Sequence, residues 1–367
     1  MSDYEQVLAE EQYEEPEGLE QESDDLELEE YPLDSVLIRN EARTVFDVIR
    51  RIRAEQFNLD PDFQRDFVWD EVKQSRLIES VLMRIPLPVF YLAEDDDGMT
   101  VVVDGLQRLT TFSRYLDNKF ALRGLMTTSP QLEGKRFRDL PPKLQNRLED
   151  TQLILYLIDS KVPERAKLDI FERVNSGVPL TRQQMRNSLF MGEATRWLKK
   201  QANSEWFLKT TTRSLNPKTM RDRELINRFC GFYLLGEDKY RGDMDAFLAD
   251  TLRHMNKMDN IALDDLGSLF QRSMKNNHTV FKEYAFRKHT NQQQRRSVIN
   301  AALFDVLSVQ MTKYDNGFIQ RKTKAIQKIF YGLMNDEEFL KVITLSTNSL
   351  RNVRYRFETV EKVFQKV

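Results

Sequence analysis

The segment Asp104-Gly105-Leu106-Gln107-Arg108-Leu109-Thr110-Thr111 puts an acid, a glycine, an amide, a guanidinium and two hydroxyls within eight residues. Val101-Val102-Val103 before it has the β-branched character of a short buried strand. Leu106, Leu109, Phe112, Tyr115 and Leu116 after it have helical spacing. A strand-to-helix junction presents unpaired backbone N–H groups and the positive end of a helix dipole, and both favour anions. Arg108 adds a fixed, forked charge suited to phosphate. The chemistry is phosphate handling, as in a nucleotide site. A plainer account also fits: Asp104 as a helix cap, Gly105 as a turn, Arg108 paired with an acid.

Two more clusters carry an arginine beside an amide. Gln64-Arg65 lies in an extended, turn-rich stretch ending at Trp69. The other runs from Arg173 and Asn175 through Gly177 and Pro179 to Thr181, Arg186 and Asn187. Loops on a rigid scaffold concentrate function, so three such clusters point to one site assembled from separate elements.

The elements that must position them are legible in outline. Residues 44–55 have helical spacing. Asp70 caps an amphipathic helix over 71–84, which Pro86 and Pro88 end. Strands at 89–93 and 100–103 make a hairpin around an acidic turn. Helices are expected at 106–118, 141–150, 163–174 and, capped by Thr181, 182–191, with a strand at 152–158. Beyond about residue 190 there is almost no alternation, which predicts helix after helix. The expected fold class is α+β, with an acidic tail over 1–34, an α+β domain over 35–185 and an all-α domain over 186–367.

Composition bounds the function. No apolar run is long enough for a transmembrane helix, no basic-then-apolar leader is visible, and Cys230 is the single cysteine. These point to the cytoplasm, with Cys230 a buried small hydrophobe. Residues 1–34 hold fifteen Asp or Glu and no Lys or Arg, a composition expected to be disordered. Removing those fifteen from the 58 acids leaves 43 against 55 Lys and Arg, a net charge of about +12 for 35–367. A body so basic suits nucleic acid. Clusters at Lys209/Arg213/Lys218/Arg221/Arg223, Arg287/Lys288, Arg295/Arg296, Arg321/Lys322/Lys324/Lys328 and Arg351/Arg354/Arg356 are candidates for a surface that tracks a DNA backbone. The acidic tail could then compete with nucleic acid for the body, or act only as a solubiliser.

Together these motifs resemble the S-type half of the GmrSD type IV restriction systems, over residues 40–240. Residues 61–69 match Pro-x-Phe-Gln-Arg-x-x-x-Trp, and 77–82 followed by 85–88 match a Leu-Ile-Glu-Ser-Val-Leu helix with Ile-Pro-x-Pro. Residues 104–111 match the Asp-Gly-Gln-Gln-Arg-x-Thr-Thr hallmark, and 173–187 match a later Arg-x-Asn-x-Gly segment. Asp222, Glu224, Arg228 and Phe229 resemble a further helical piece of that family. Leu106 stands where the family has glutamine, and Gln184 where it has glutamate.

The resemblance implies a fold similar to the ParB N-terminal domain and sulfiredoxin, and an NTP-dependent protein acting on foreign or modified DNA. In that reading Asp104, Gln107 and Arg108 are catalytic. Gly105, Arg108, Thr110, Thr111, Gln64, Arg65, Arg173, Asn175 and Arg186 bind nucleotide or phosphate. Asp104 orients a water or Mg²⁺. Implied partners are DNA and a His-Asn-His nuclease on a separate chain, with homo-oligomers admitted. Sulfiredoxin chemistry is excluded because the phosphate motif lacks cysteine. His254, His278 and His289 are not spaced as metal ligands. Two functions stay open: an NTPase that itself nicks or cuts DNA, and a non-catalytic, nucleotide-switched DNA sensor that recruits the nuclease.

Overall fold

In the computed structural model, which describes residues 13–19, 37–59, 69–94, 99–126, 130–174, 181–291 and 295–367, the chain divides into two units. One comprises 31–180, the other 1–30 with 181–367.

The first unit is built on a five-stranded sheet of order β1-β5-β3-β4-β2, formed by β1 (Ile38–Thr44), β2 (Phe57–Asn58), β3 (Phe90–Glu94), β4 (Thr100–Asp104) and β5 (Gln152–Ile158). The expected hairpin is present as antiparallel β3 and β4, while β3 with β5 and β2 with β4 are parallel. In β5, Leu153, Leu155 and Leu157 are buried while Gln152 and Ile154 face out, the alternation of a strand with one covered face. β1 is a strand the sequence did not announce. Its pairs run from Ile38 opposite Ile158 to Thr44 opposite Gln152. Its residues are polar and exposed because it is an edge, where charges such as Arg39, Glu41 and Arg43 discourage further pairing.

Helices α1 (Val45–Arg53), α2 (Glu71–Leu82), α3 (Leu106–Leu116), α4 (Pro142–Glu149) and α5 (Glu164–Val174) complete this unit. Thr44 caps α1 by accepting from Asp47 N at 3.2 Å, and Asp70 caps α2 by accepting from Lys73 N at 2.7 Å. Val45, Val48 and Ile49 of α1, Ile78 and Val81 of α2, and Leu109 and Phe112 of α3 share a core with Leu92, Val102 and Leu155. Fully burying each such side chain contributes roughly 1.5–3 kcal/mol, which anchors α3 and with it the 104–111 segment.

Every named element after residue 181 is helical: α6 (Arg182–Leu189), α7 (Glu193–Ala202), α8 (Glu205–Thr210), α9 (Arg221–Leu234), α10 (Met244–Asn256), α11 (Asn260–Phe281), α12 (Ala301–Gln310), α13 (Asn316–Met334), α14 (Glu337–Val342) and α15 (Leu350–Phe364), with short 3₁₀ turns between some. Asp243, Asp259, Asn300, Asp315, Asp336 and Ser349 each cap the helix that follows. Among the described residues, no helix is long and apolar enough to cross a membrane.

Three expectations are corrected. The boundary lies at 180/181, so α6 with Arg186 belongs to the helical unit. Residues 13–19 of the acidic tail are ordered on that unit, with Pro16 and Leu19 buried, because Glu14 and Glu17 meet cations there. Two basic clusters are partly structural. Arg287 is fully buried against Glu14, and Arg356 shares the carboxylate of Asp305 with Arg228, all three fully buried.

Candidate functional site

The junction between β4 and α3 turns on Gly105. Its φ of +99° is left-handed, and a Cβ there would lie 2.3 Å from Phe90 Cδ1, so both backbone and space require glycine. Gly105 is the N-cap of α3 and provides no side-chain cap, and Asp104 does not cap the helix either. Among the described residues the first N–H groups of α3 have no side-chain acceptor, as an anion site needs.

Asp104 instead pairs with Arg108. Arg108 Nη2 donates to Asp104 Oδ2 at 2.8 Å and to Val89 O at 3.1 Å, and Nη1 donates to Pro88 O at 2.5 Å. Its guanidinium carbon lies 4.3 Å from the centroid of the Phe90 ring. Arg108 is buried, which lowers its pKa from the ordinary guanidinium value, opposed by the charge of Asp104. The Ile85-Pro86-Leu87-Pro88 segment thereby gains a reason. It leads into β3, and the carbonyls of Pro88 and Val89 ahead of the strand are satisfied by the arginine fork.

Gln107 reaches the first cluster. Its Oε1 accepts from Trp69 N at 3.0 Å, and Gln74 Nε2 donates to Trp69 O. Trp69 is thus held through both backbone groups at the point where the stretch with Gln64 and Arg65 ends. Gln64 and Arg65 themselves lie outside the described residues, as does Asn175. The two threonines differ. Thr111 Oγ1 is buried and donates to Gln107 O at 2.7 Å inside its own helix, so it faces the core. Thr110 Oγ1 is buried with no hydrogen-bond partner among the described residues.

The third cluster divides between the units. Arg173 is exposed in the last turn of α5. Arg186 sits buried in α6, where it donates to Gln183 Oε1 at 2.9 Å and pairs with Asp245, with Glu224 at 3.8 Å. Those acids neutralise it within the helical unit. Gln184 forms a capping box, its Oε1 accepting from Thr181 N at 2.6 Å while its Nε2 donates to Lys218 O at 2.8 Å. A glutamate could repeat the first bond but not the second, so the amide is matched to this packing. On α9, Asp222 is pushed up to about 6 by burial, opposed by Arg223.

As for Mg²⁺, Asp104 is the one acid of the 104–111 segment, and one of its oxygens is taken by Arg108. Among the described residues no group of three His, Cys, Asp or Glu is placed to hold a metal. The donor set fits only an ion that arrives on phosphate and takes a single protein oxygen. Cys230 is fully buried, and burial pushes its thiol well above the usual value.

Sequence reasoning missed Phe90, Gln74 and the carbonyls of Pro88 and Val89. The proline pair marked the segment, but nothing local tied it to Arg108. No curated protein matches the chain. Residues 43–191, less than half of the chain, match the family model described as GmrSD restriction endonuclease, N-terminal domain. The matched residues take in part of β1, the rest of the sheet, the β4–α3 junction and α6, and over them the chain is similar to the GmrSD N-terminal domain.

Proposed function

We propose that this protein is an NTP-dependent DNA-defence protein of the type IV restriction kind, with its nucleotide site at the β4–α3 junction and a ParB/sulfiredoxin-like fold around it. The observation that carries the reading is the coincidence of the GmrSD-type match with an uncapped helix start beside a buried, fork-bonded arginine. Phosphate would sit on the first N–H groups of α3, with Thr110 Oγ1 offering a hydroxyl that has no partner among the described residues. Arg108 would stabilise charge that develops on the transferring phosphoryl group. Gln107 would hold Trp69, the first described residue after the segment that contains Gln64 and Arg65. Asp104 would hold Arg108 in place and offer its other oxygen to Mg²⁺, which supplies neutralisation of phosphate charge.

DNA is the partner this reading requires, and α13 offers a surface for it. Arg321, Lys324 and Lys328 are exposed at helical spacing along one face.

A second reading is favoured by one observation: Asp104 and Arg108 neutralise each other. Such a pair can serve as a switch that nucleotide opens, with cutting left to a His-Asn-His partner chain. Purified protein with NTP, Mg²⁺ and plain or modified plasmid separates the two. The first reading expects NTP turnover and nicking, both lost in Arg108→Lys with folding retained. Turnover equal to wild type in that variant refutes the site, and nucleotide binding without turnover or nicking selects the second reading.

A further inference from the structure

The ordered stretch Tyr13-Glu14-Glu15-Pro16-Glu17-Gly18-Leu19 is bound as a peptide ligand is bound. Its backbone is read at three points: Glu14 N donates to Ser214 O at 2.8 Å, Glu17 N to Ile299 O at 2.8 Å, and Ala301 N to Glu17 O at 2.9 Å. Its side chains are read as well. Glu14 pairs with the fully buried Arg287 at 2.7 Å and accepts from Ser214 Oγ at 2.7 Å. Glu17 pairs with Lys288 at 2.6 Å and accepts from Asn300 Nδ2 at 3.1 Å, and Glu15 pairs with Arg221 at 3.3 Å. Leu19 enters the apolar core of the helical unit. Gly18, at φ +81°, passes 3.1 Å from Thr347 Oγ1 measured from where a Cβ would be.

We infer that the helical unit carries a groove for an acidic peptide of the pattern Glu-x-x-Glu-Gly-Leu, and that this chain's own residues 13–19 are its occupant. Main-chain pairing gives such a contact register, and side-chain pockets give it selectivity. Three backbone hydrogen bonds and a leucine pocket recognise a peptide; phosphate chains have neither amides nor an apolar side chain to offer. Carboxylates on buried guanidinium bond more strongly than neutral groups, so the groove prefers an acidic ligand. The occupant also closes the entry to α12. Ala301, the first residue of that helix, has its N–H satisfied by Glu17 O, and Ile299 N is satisfied by Glu14 Oε1 at 3.3 Å. Being tethered, the strap binds at an effective concentration that free acidic segments in solution do not reach.

The test uses the full chain. Glu14→Ala/Glu17→Ala/Leu19→Ala should raise hydrogen exchange at the Ile299 and Ala301 amides at least about tenfold. Adding a synthetic peptide of residues 11–21 should restore protection in that variant, and should not bind the wild-type chain, whose groove is filled. A peptide lacking the Glu14 and Leu19 side chains should bind at least about tenfold more weakly. If the triple variant does not fold, Glu14→Ala alone carries the exchange readout at Ile299, whose N–H loses its acceptor. Unchanged protection overturns the inference. So does equal rescue by the altered peptide, or rescue by a duplex oligonucleotide, which would make the groove a general polyanion site.

Discussion

Gly105→Ala should be among the costliest single-methyl changes in the unit 31–180. The new Cβ would sit 2.3 Å from Phe90 Cδ1 and 2.9 Å from Cε1, and Phe90 is fully buried. Holding alanine at φ +99° costs about 1–2 kcal/mol, and forcing an atom into a packed core costs about 1–3 kcal/mol more. A total near 3 kcal/mol lowers the melting temperature of a unit this size by roughly 6–12 °C. Urea unfolding followed by circular dichroism measures it. The structure also says how the cost divides. Phe90→Leu removes the clash but leaves the backbone strain, so the double variant should be less destabilised than the sum of the singles. Because the Phe90 ring lies under the Arg108 guanidinium, Gly105→Ala should also lower NTP turnover in protein that remains folded. A Gly105→Ala variant within about 0.5 kcal/mol of wild type, or strict additivity with Phe90→Leu, would refute the packing argument.

Gln184→Glu, which restores the residue of the resembled family, should destabilise the helical unit by about 1–3 kcal/mol, because a buried carboxylate would face Lys218 O without a donor; a melting temperature equal to wild type contradicts this. Asp222, pushed up to about 6 by burial against an ordinary value of 3.8, holds its proton more tightly folded than unfolded. Its contribution is full below pH about 4 and is lost as pH rises through about 6, so the stability it adds should grow as pH falls from 7 to 4, and Asp222→Asn should flatten that slope in urea titrations. Replacing Arg321, Lys324 and Lys328 with Gln should weaken DNA binding at all sequences and reduce the salt slope by about 3, checked by titration across salt concentrations. Cys230 should react with a thiol reagent only at the rate of unfolding, and fast labelling of native protein would contradict its burial.

The sequence alone determined what is local. Asp70 and Thr181 mark helix starts because a cap acts within three residues of itself. The Leu153, Leu155, Leu157 alternation and the Val101–Val103 run fixed strands because side chains alternate faces along one strand. The strand-to-helix junction at Asp104-Gly105 was legible for the same reason. The tertiary structure decided what depends on partners distant in sequence. β1 has no apolar alternation, since an edge strand owes its place to the ladder of β5. The contacts of Arg108 with Pro88 and Val89, about twenty residues away, have no trace in the local sequence. Arg287 and Arg356 look like surface charge in a linear string, yet Glu14 and Asp305 draw them into the interior. A guanidinium has the same chemistry in both settings, and only the fold determines whether its counter-charge is solvent, a carboxylate of its own chain, or a ligand.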